Sequence, residues 1–246
     1  MPAIFALTSR NRALRAAFAA VAALGLAGCQ SIQSTSPSSA GVRFVAASSD
    51  APGLDFLLNK TVQTYNLGYN SYTPNYLYVS PGTYTVAAAQ YGYDTTALAS
   101  ANLTVKTSGR YTVIAGNPSA TLALTALTDL SGPAPSGSVS IRLVDMSASA
   151  GALDIYMVSS SGTLLTTNAL YTNLTLGSNT GYINVPAGTY QLEILPNGTV
   201  PISTTITSYT GSQTVLTAGA VRTIIIDDNT LVTTPPLQVI TLNDYD

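Results

Sequence analysis

From residue 42 onward, apolar residues come in short runs of Val, Ile, Leu, Phe and Tyr, each cut by Gly, Pro, Asn or Ser. Leu54-Asp55-Phe56 and Tyr190-Gln191-Leu192-Glu193-Ile194 alternate apolar with polar, as a strand does with one face on a core. Turn residues stand directly before such runs, as in Pro81-Gly82-Thr83-Tyr84 and Pro186-Ala187-Gly188-Thr189-Tyr190. There Pro presets φ and Gly admits backbone that other residues avoid. No stretch after the first 41 residues carries a capped apolar stripe of helical period, so the pattern predicts an all-β fold.

The N-terminus reads differently. Arg10, Arg12 and Arg15 precede the uncharged run Ala16 to Leu26. That run is about half the roughly 20 residues that span a bilayer, which suits a secretory leader rather than a transmembrane helix. It ends in Leu26-Ala27-Gly28-Cys29, which resembles the lipobox of bacterial lipoproteins. The resemblance implies cleavage between Gly28 and Cys29, acylation of Cys29 by palmitate-type chains, and a membrane partner held through those chains. Gln30 stands where an Asp often retains such proteins at the inner membrane, so the expected location is the cell envelope, at the outer membrane. Residues 1–28 are thus expected to be the signal peptide. Residues 29–41, rich in Ser with Pro37 and Gly41, form a flexible tether.

The remainder is one unit used twice. Val42-Arg43-Phe44-Val45 and Leu54-Asp55-Phe56 match Ile141-Arg142-Leu143-Val144 and Leu153-Asp154-Ile155, with an Arg-to-Asp spacing of twelve in both. Val79-Ser80-Pro81-Gly82-Thr83-Tyr84 matches Val185-Pro186-Ala187-Gly188-Thr189-Tyr190, and Arg110-Tyr111-Thr112-Val113 matches Val221-Arg222-Thr223-Ile224. The offset grows from 99 to 106 to 111, so the second unit is lengthened by loop insertions. The expected organisation is two tandem antiparallel β-sandwich domains of immunoglobulin-like size, 42–130 and 139–246. The Pro/Gly/Ser-rich linker 131–138 suggests beads on a string, each able to fold alone.

The blocks VRFVAASSDAPGLDFLL, VSPGTYTV and SGRYTVIAG resemble the bacterial domain-of-unknown-function family DUF4397, whose members read close to VRVVHASPDAPAVDVYVDG, PAGTY and YTVVA. The first unit matches all three blocks and the second more weakly. Ala46-Ala47 stands where the family commonly has histidine followed by alanine. The resemblance implies secreted or cell-surface β-sandwich modules, often in tandem, with no established activity.

Composition narrows the chemistry. Charged residues are 8% of the chain, with nine Lys+Arg against eleven Asp+Glu, so there is no basic footprint for nucleic acid. With no histidine and one cysteine, His-based acid–base catalysis, an intrachain disulfide and Cys/His metal sites fall away. No cofactor, metal or catalytic residue is expected. Asp227-Asp228-Asn229 and Asn243-Asp244-Tyr245-Asp246 supply oxygen ligands but lack an EF-hand pattern, and are expected to be solvated turns.

Two features remain as candidate recognition chemistry. Arg43 with Asp55, and Arg142 with Asp154, each lie between apolar neighbours. They are expected to face each other on adjacent strands, away from the core, as a register-holding ion pair or a repeated ligand site. Tyr65, Tyr69, Tyr72, Tyr76 and Tyr78 belong to a cluster of eight of the fifteen tyrosines and form a candidate surface for an envelope protein or glycan partner. The expected function is a lipid-anchored, non-catalytic binding or structural module. A hydrolytic, carbohydrate-active enzyme and an adhesion or assembly factor are the alternatives.

Overall fold

The computed structural model describes residues 39–231 and 236–245. The leader and most of the tether, with Gly28 and Cys29, lie outside the described residues. Residues 37–246 form one compact unit, and its described part is built from strands and two short 3-10 turns.

The first half runs β1 (Ala40–Ala46), β2 (Leu54–Leu58), β3 (Thr61–Leu67), β4 (Ser71–Tyr72), β5 (Leu77–Val79), β6 (Gly82–Gln90), β7 (Ala97–Val105), β8 (Arg110–Gly116) and β9 (Ala123–Asp129). The second runs β10 (Ser138–Asp145), β11 (Leu153–Ser159), β12 (Tyr171–Leu174), β13 (Asn179–Pro186), β14 (Gly188–Pro196), β15 (Tyr209–Thr210), β16 (Thr214–Leu216), β17 (Val221–Asp228) and β18 (Leu237–Tyr245). Each half is a two-sheet sandwich. The first stacks β4-β1-β8-β9, with β5 also on β1, against β3-β2-β6-β7. The second stacks β13-β10-β17-β18 against β12-β11-β14-β15, with β16 also on β14.

The expected sandwiches depart from pure antiparallel pairing at one place in each. β1 runs parallel to β8, with Val42 opposite Tyr111 and Arg43 opposite Thr112. β10 likewise runs parallel to β17, with Arg142 opposite Thr223. Local chemistry fixes the hairpins. Between β2 and β3, Asn59 and Lys60 take φ of 48° and 70°, the two-residue turn whose twist matches its flanking strands.

Period-two patterning sorts the strands' two faces. Val42, Phe44 and Ala46 of β1 enter the first sandwich core with Phe56, Val86 and Val113, and Phe44 stacks on Phe56 at 4.9 Å. Ile141, Leu143, Ile155 and Ile194 do the same in the second. The opposite faces of β1 and β10 are also buried. Val45, Ala47, Ile114 and Leu127 from the first half pack with Val144, Met146, Ile225, Ile240 and Leu242 from the second. A side chain at Gly116 would collide with the Met146 side chain, so the second half packs closely on β8 where it has no Cβ to offer.

This third cluster corrects the beads-on-a-string expectation. A β1-type sheet buried on both faces needs apolar residues at odd and even positions alike, and β1 and β8 carry them. The linker itself is packed. Ala134 is buried, its N–H donates to Gly219 O at 2.9 Å, and Ala187 N–H donates to Gly137 O at 2.9 Å. Pro and Gly here shape a docked connection rather than a loose one.

Candidate functional site: a reciprocal Arg–Asp interlock

The Arg43–Asp55 and Arg142–Asp154 pairs do not exist. Each Arg lies on a sheet facing the other half, and each Asp on the sheet across its own sandwich core. All four are buried rather than turned to solvent. The identical spacing reflects two separate structural duties that the duplication copied together.

The aspartates hold loops. Asp55 accepts from Asn66 N–H at 2.6 Å and Gly92 N–H at 3.1 Å. Asp154 accepts from Asn173 N–H at 2.9 Å, Gly198 N–H at 2.9 Å and Asn197 Nδ2 at 2.8 Å. Asn66, Gly92, Asn173 and Gly198 all have positive φ. Each carboxylate thus satisfies the exposed amides of a left-handed bulge and a left-handed turn. Burial alone would raise the Asp154 carboxyl, but these donors hold it below the usual range.

The arginines bridge the halves by the same scheme run in opposite directions. The Arg43 guanidinium forms a short ion pair with Asp244, donates from Nη1 to Asn243 O at 2.9 Å and from Nε to Thr112 Oγ1 at 2.8 Å. Arg142 pairs with Asp129 at 2.5 Å, donates from Nη1 to Thr128 O at 2.9 Å and from Nε to Thr223 Oγ1 at 3.1 Å. The threonines close each ring. Thr112 donates to Asp129 Oδ2 and Thr223 to Asp244 Oδ2, both at 2.6 Å.

A tyrosine covers each arginine. Tyr76 lies 4.8 Å from the Arg43 guanidinium and donates to Asp129 Oδ2 at 2.8 Å. Tyr182 lies 4.7 Å from Arg142 and donates to Asp244 Oδ2 at 2.7 Å. Burial raises both phenols above their usual range, with the nearby aspartates acting in the same sense, so both remain donors at neutral pH. Each charge therefore meets an opposite charge, and donors and acceptors are matched around it. Those are the conditions under which a buried ion pair offsets its desolvation.

The interlock redistributes the other expected site residues. Tyr76 is consumed by it, and Tyr69 donates a short hydrogen bond to Asp228 O in the other half. Tyr65 stands exposed on β3 in the outer sheet, whereas Tyr72 and Tyr78 lie exposed on the β1 sheet. The five tyrosines thus form no single surface. Asp244, expected in a solvated turn, is buried within the interlock. Asp129, Thr112, Thr223 and Tyr182 were not singled out as site residues by sequence patterning, and Asp244 was read only as part of a solvated turn. The signal available was the repeat itself, which places Thr112 and Thr223 at matched positions and one Asp at the end of each sandwich's last strand.

At the far end of the same interface, Asp145 and Asp227 are buried, and among the described residues the Oδ2 atom of each has no hydrogen-bond partner. This too corrects the solvated-turn expectation for Asp227-Asp228. Burial raises Asp227 to about 8, with the Asp228 and Asp145 charges adding to it. Burial raises Asp145 to about 6 against the hydrogen bonds from Ser147. An acid whose pKa rises on folding keeps a proton that the unfolded chain releases above its ordinary value of 3.8. Stability is therefore expected to fall as pH rises from about 4 to about 8, by at most about 1.4 kcal/mol per pH unit for each proton. Denaturant titrations across this range should show the slope, and Asp227→Asn should flatten it and be the more stable form at pH 9. An unchanged slope in that variant would assign the pH dependence elsewhere.

Among solved structures, the chain is similar to the TIE protein of Bacillus anthracis at 12% identity, covering 84% of this chain and 44% of that one, with a TM-score of 0.24. It is similar to a putative cell adhesion protein from Bacteroides fragilis at 12% identity, covering 80% and 85%, with a TM-score of 0.21. Overlap at this level carries no argument about fold or role. No match was found among curated proteins. A family model does match: the domain of unknown function DUF4397, over residues 40–156. The matched segment runs from β1 through the linker into β11, and holds both arginines, Asp55, Asp129 and Asp154. Residues 40–156, just under half of the chain, are thus similar to the DUF4397 family.

Proposed function

We propose that this protein is a lipid-anchored, non-catalytic module of the cell envelope, in which the two interlocked sandwiches form one rigid binding or structural body. The observation that carries the reading is where its charged side chains go. Arg43, Arg142, Asp129 and Asp244 fasten the halves, and Asp55 and Asp154 hold loops. Asp50 accepts from Ser119 N–H at 2.7 Å, and Asp228 accepts from Ala148 N–H at 3.0 Å. In a chain with so few charges, this use builds a scaffold rather than a reaction centre. The lipobox-like Leu26-Ala27-Gly28-Cys29 and the Ser-rich tether supply the anchoring part of the reading.

The anchor has a direct test. Cys29→Ser removes the one thiol that can carry a thioether-linked lipid. Labelling with a radioactive fatty acid should disappear, and the protein should be left uncleaved or soluble. A variant that stays fully membrane-bound and normally processed would overturn the lipid-anchored reading.

A further inference from the structure

The second sandwich is longer than the first in two places, and both additions close over one spot. The offset between matched residues rises from 99 at Asp55 and Asp154 to 106 at Tyr84 and Tyr190, then to 111 at Thr112 and Thr223. The first rise replaces the tight turn at Asn59-Lys60 by a loop over 160–170, which carries the short 3-10 turn Leu164–Thr166. The second falls on the excursion 197–208 between β14 and β15. Leu164 packs with Tyr156, Val158 and Leu195, a cluster separate from the sandwich core. Between the two loops and β14 lies a cleft of about 280 Å³, with apolar walls from Leu164, Leu165 and Ile202.

Glu193 of β14 lies in this lining at 9% exposure and is its only charged residue. It is also the only Glu in the chain. Its counterpart in the first sandwich is Ala87, opposite Leu57 as Glu193 is opposite Tyr156. The second unit thus carries a carboxylate where the first has a methyl group, at the spot its added loops enclose. Among the described residues, that carboxylate meets the Thr210 hydroxyl, which donates to Oε2 at 2.8 Å, and no cationic side chain. Thr210 spends its one hydrogen there, so in its 2.6 Å contact with Thr207 the donor is Thr207. Thr207 then has only lone pairs left to offer. The Glu193–Thr210–Thr207 chain therefore presents acceptors and a negative charge, which call for a positively charged donor.

We propose that this cleft binds a primary alkylammonium group, of a free amine or a lysine side chain, with its nitrogen at Glu193 and Thr207 and its alkyl stem along Leu164, Leu165 and Ile202. An ammonium has three rotatable N–H donors and no acceptor, so it suits acceptors arriving from different directions, where a guanidinium needs two in one plane. A divalent cation is served by several carboxylates, and this lining has one. The apolar walls shelter a methylene stem while its charged end reaches the carboxylate. This inference goes beyond the envelope-module reading and does not depend on how the chain is anchored.

Pentylamine, pentan-1-ol and Nα-acetyl-lysine N-methylamide, titrated at neutral pH into the isotopically labelled full chain in a non-ionic detergent, separate charge from stem by amide chemical shifts. Pentylamine is expected to move the amides of 163–165 and 202–210 and to bind about tenfold tighter than the alcohol, the ratio expected of one charge-assisted contact. The lysine derivative binding as tightly as pentylamine marks a lysine side chain as the natural occupant, and weaker binding marks a free amine. Glu193→Gln should abolish the preference for the amine while leaving the shifts of the unbound chain in place outside the cleft. Thr207→Val, which removes the terminal acceptor, should weaken the amine and leave the alcohol unchanged. No binding by either ammonium probe, shifts confined to other residues, or an amine preference that survives Glu193→Gln contradicts the proposal.

Discussion

Replacing Asp129 with alanine is expected to cost the protein about 3–5 kcal/mol, the range for breaking a buried ion pair by deleting one partner. The Asp129 carboxylate pairs with Arg142 at 2.5 Å, accepts from Thr112 at 2.6 Å and from Tyr76 at 2.8 Å, and lies 3.6 Å from Arg43. Its removal leaves the Arg142 guanidinium buried without its anion, and takes an acceptor from two hydroxyls at once. Asp244→Ala should behave alike, because it serves Arg43, Thr223 and Tyr182 in the same way. Arg142→Met combined with Asp129→Leu should recover most of the loss, since no charge is then left uncompensated. Chemical denaturation of the three variants checks this. A loss below about 1 kcal/mol for Asp129→Ala would mean that the pair behaves as an exposed one.

The larger effect belongs to the interface as a whole. Separating the sandwiches would bare the nine apolar residues of the shared cluster, among them Ile114, Ile225 and Leu242, each fully buried in the intact chain. At about 25 cal/mol per Å² of apolar surface, such a contact outweighs what a surface linker contributes. Arg43 and Arg142 would lose their carboxylates in the same step. Neither sandwich is therefore expected to persist once the other has unfolded, and the two should melt together even though each has its own core.

Sequence patterning located much of this fold. The all-β class, the duplication and the short strands follow from the period-two runs and their turn residues. The duties of the charged residues were less legible. Spacing along the chain tied Arg43 to Asp55, yet those residues lie in different sheets, and their partners come from 201 residues away in one case and 11 in the other. Local alternation marked Arg43 and Arg142 as off-core correctly with respect to their own sandwich. It could not show that a second sandwich covers that face, because burial there depends on long-range docking. The same cause hid Tyr76, which reads as one more strand tyrosine until Arg43 is placed beneath it. The linker misled for a related reason. Pro and Gly report backbone shape, whereas packing of Ala134 and Gly137 on the second half is a tertiary property.

Scanning calorimetry on the compact unit from residue 37 onward tests the interlock most directly. Two halves fastened through reciprocal Arg–Asp pairs and a shared apolar cluster should give one transition, with calorimetric and van't Hoff enthalpies equal. Asp129→Ala should shift that single transition down as a whole. Two resolved transitions in the unmodified protein, or an Asp129→Ala variant in which only one half melts early, would contradict the interlock and restore independent sandwiches.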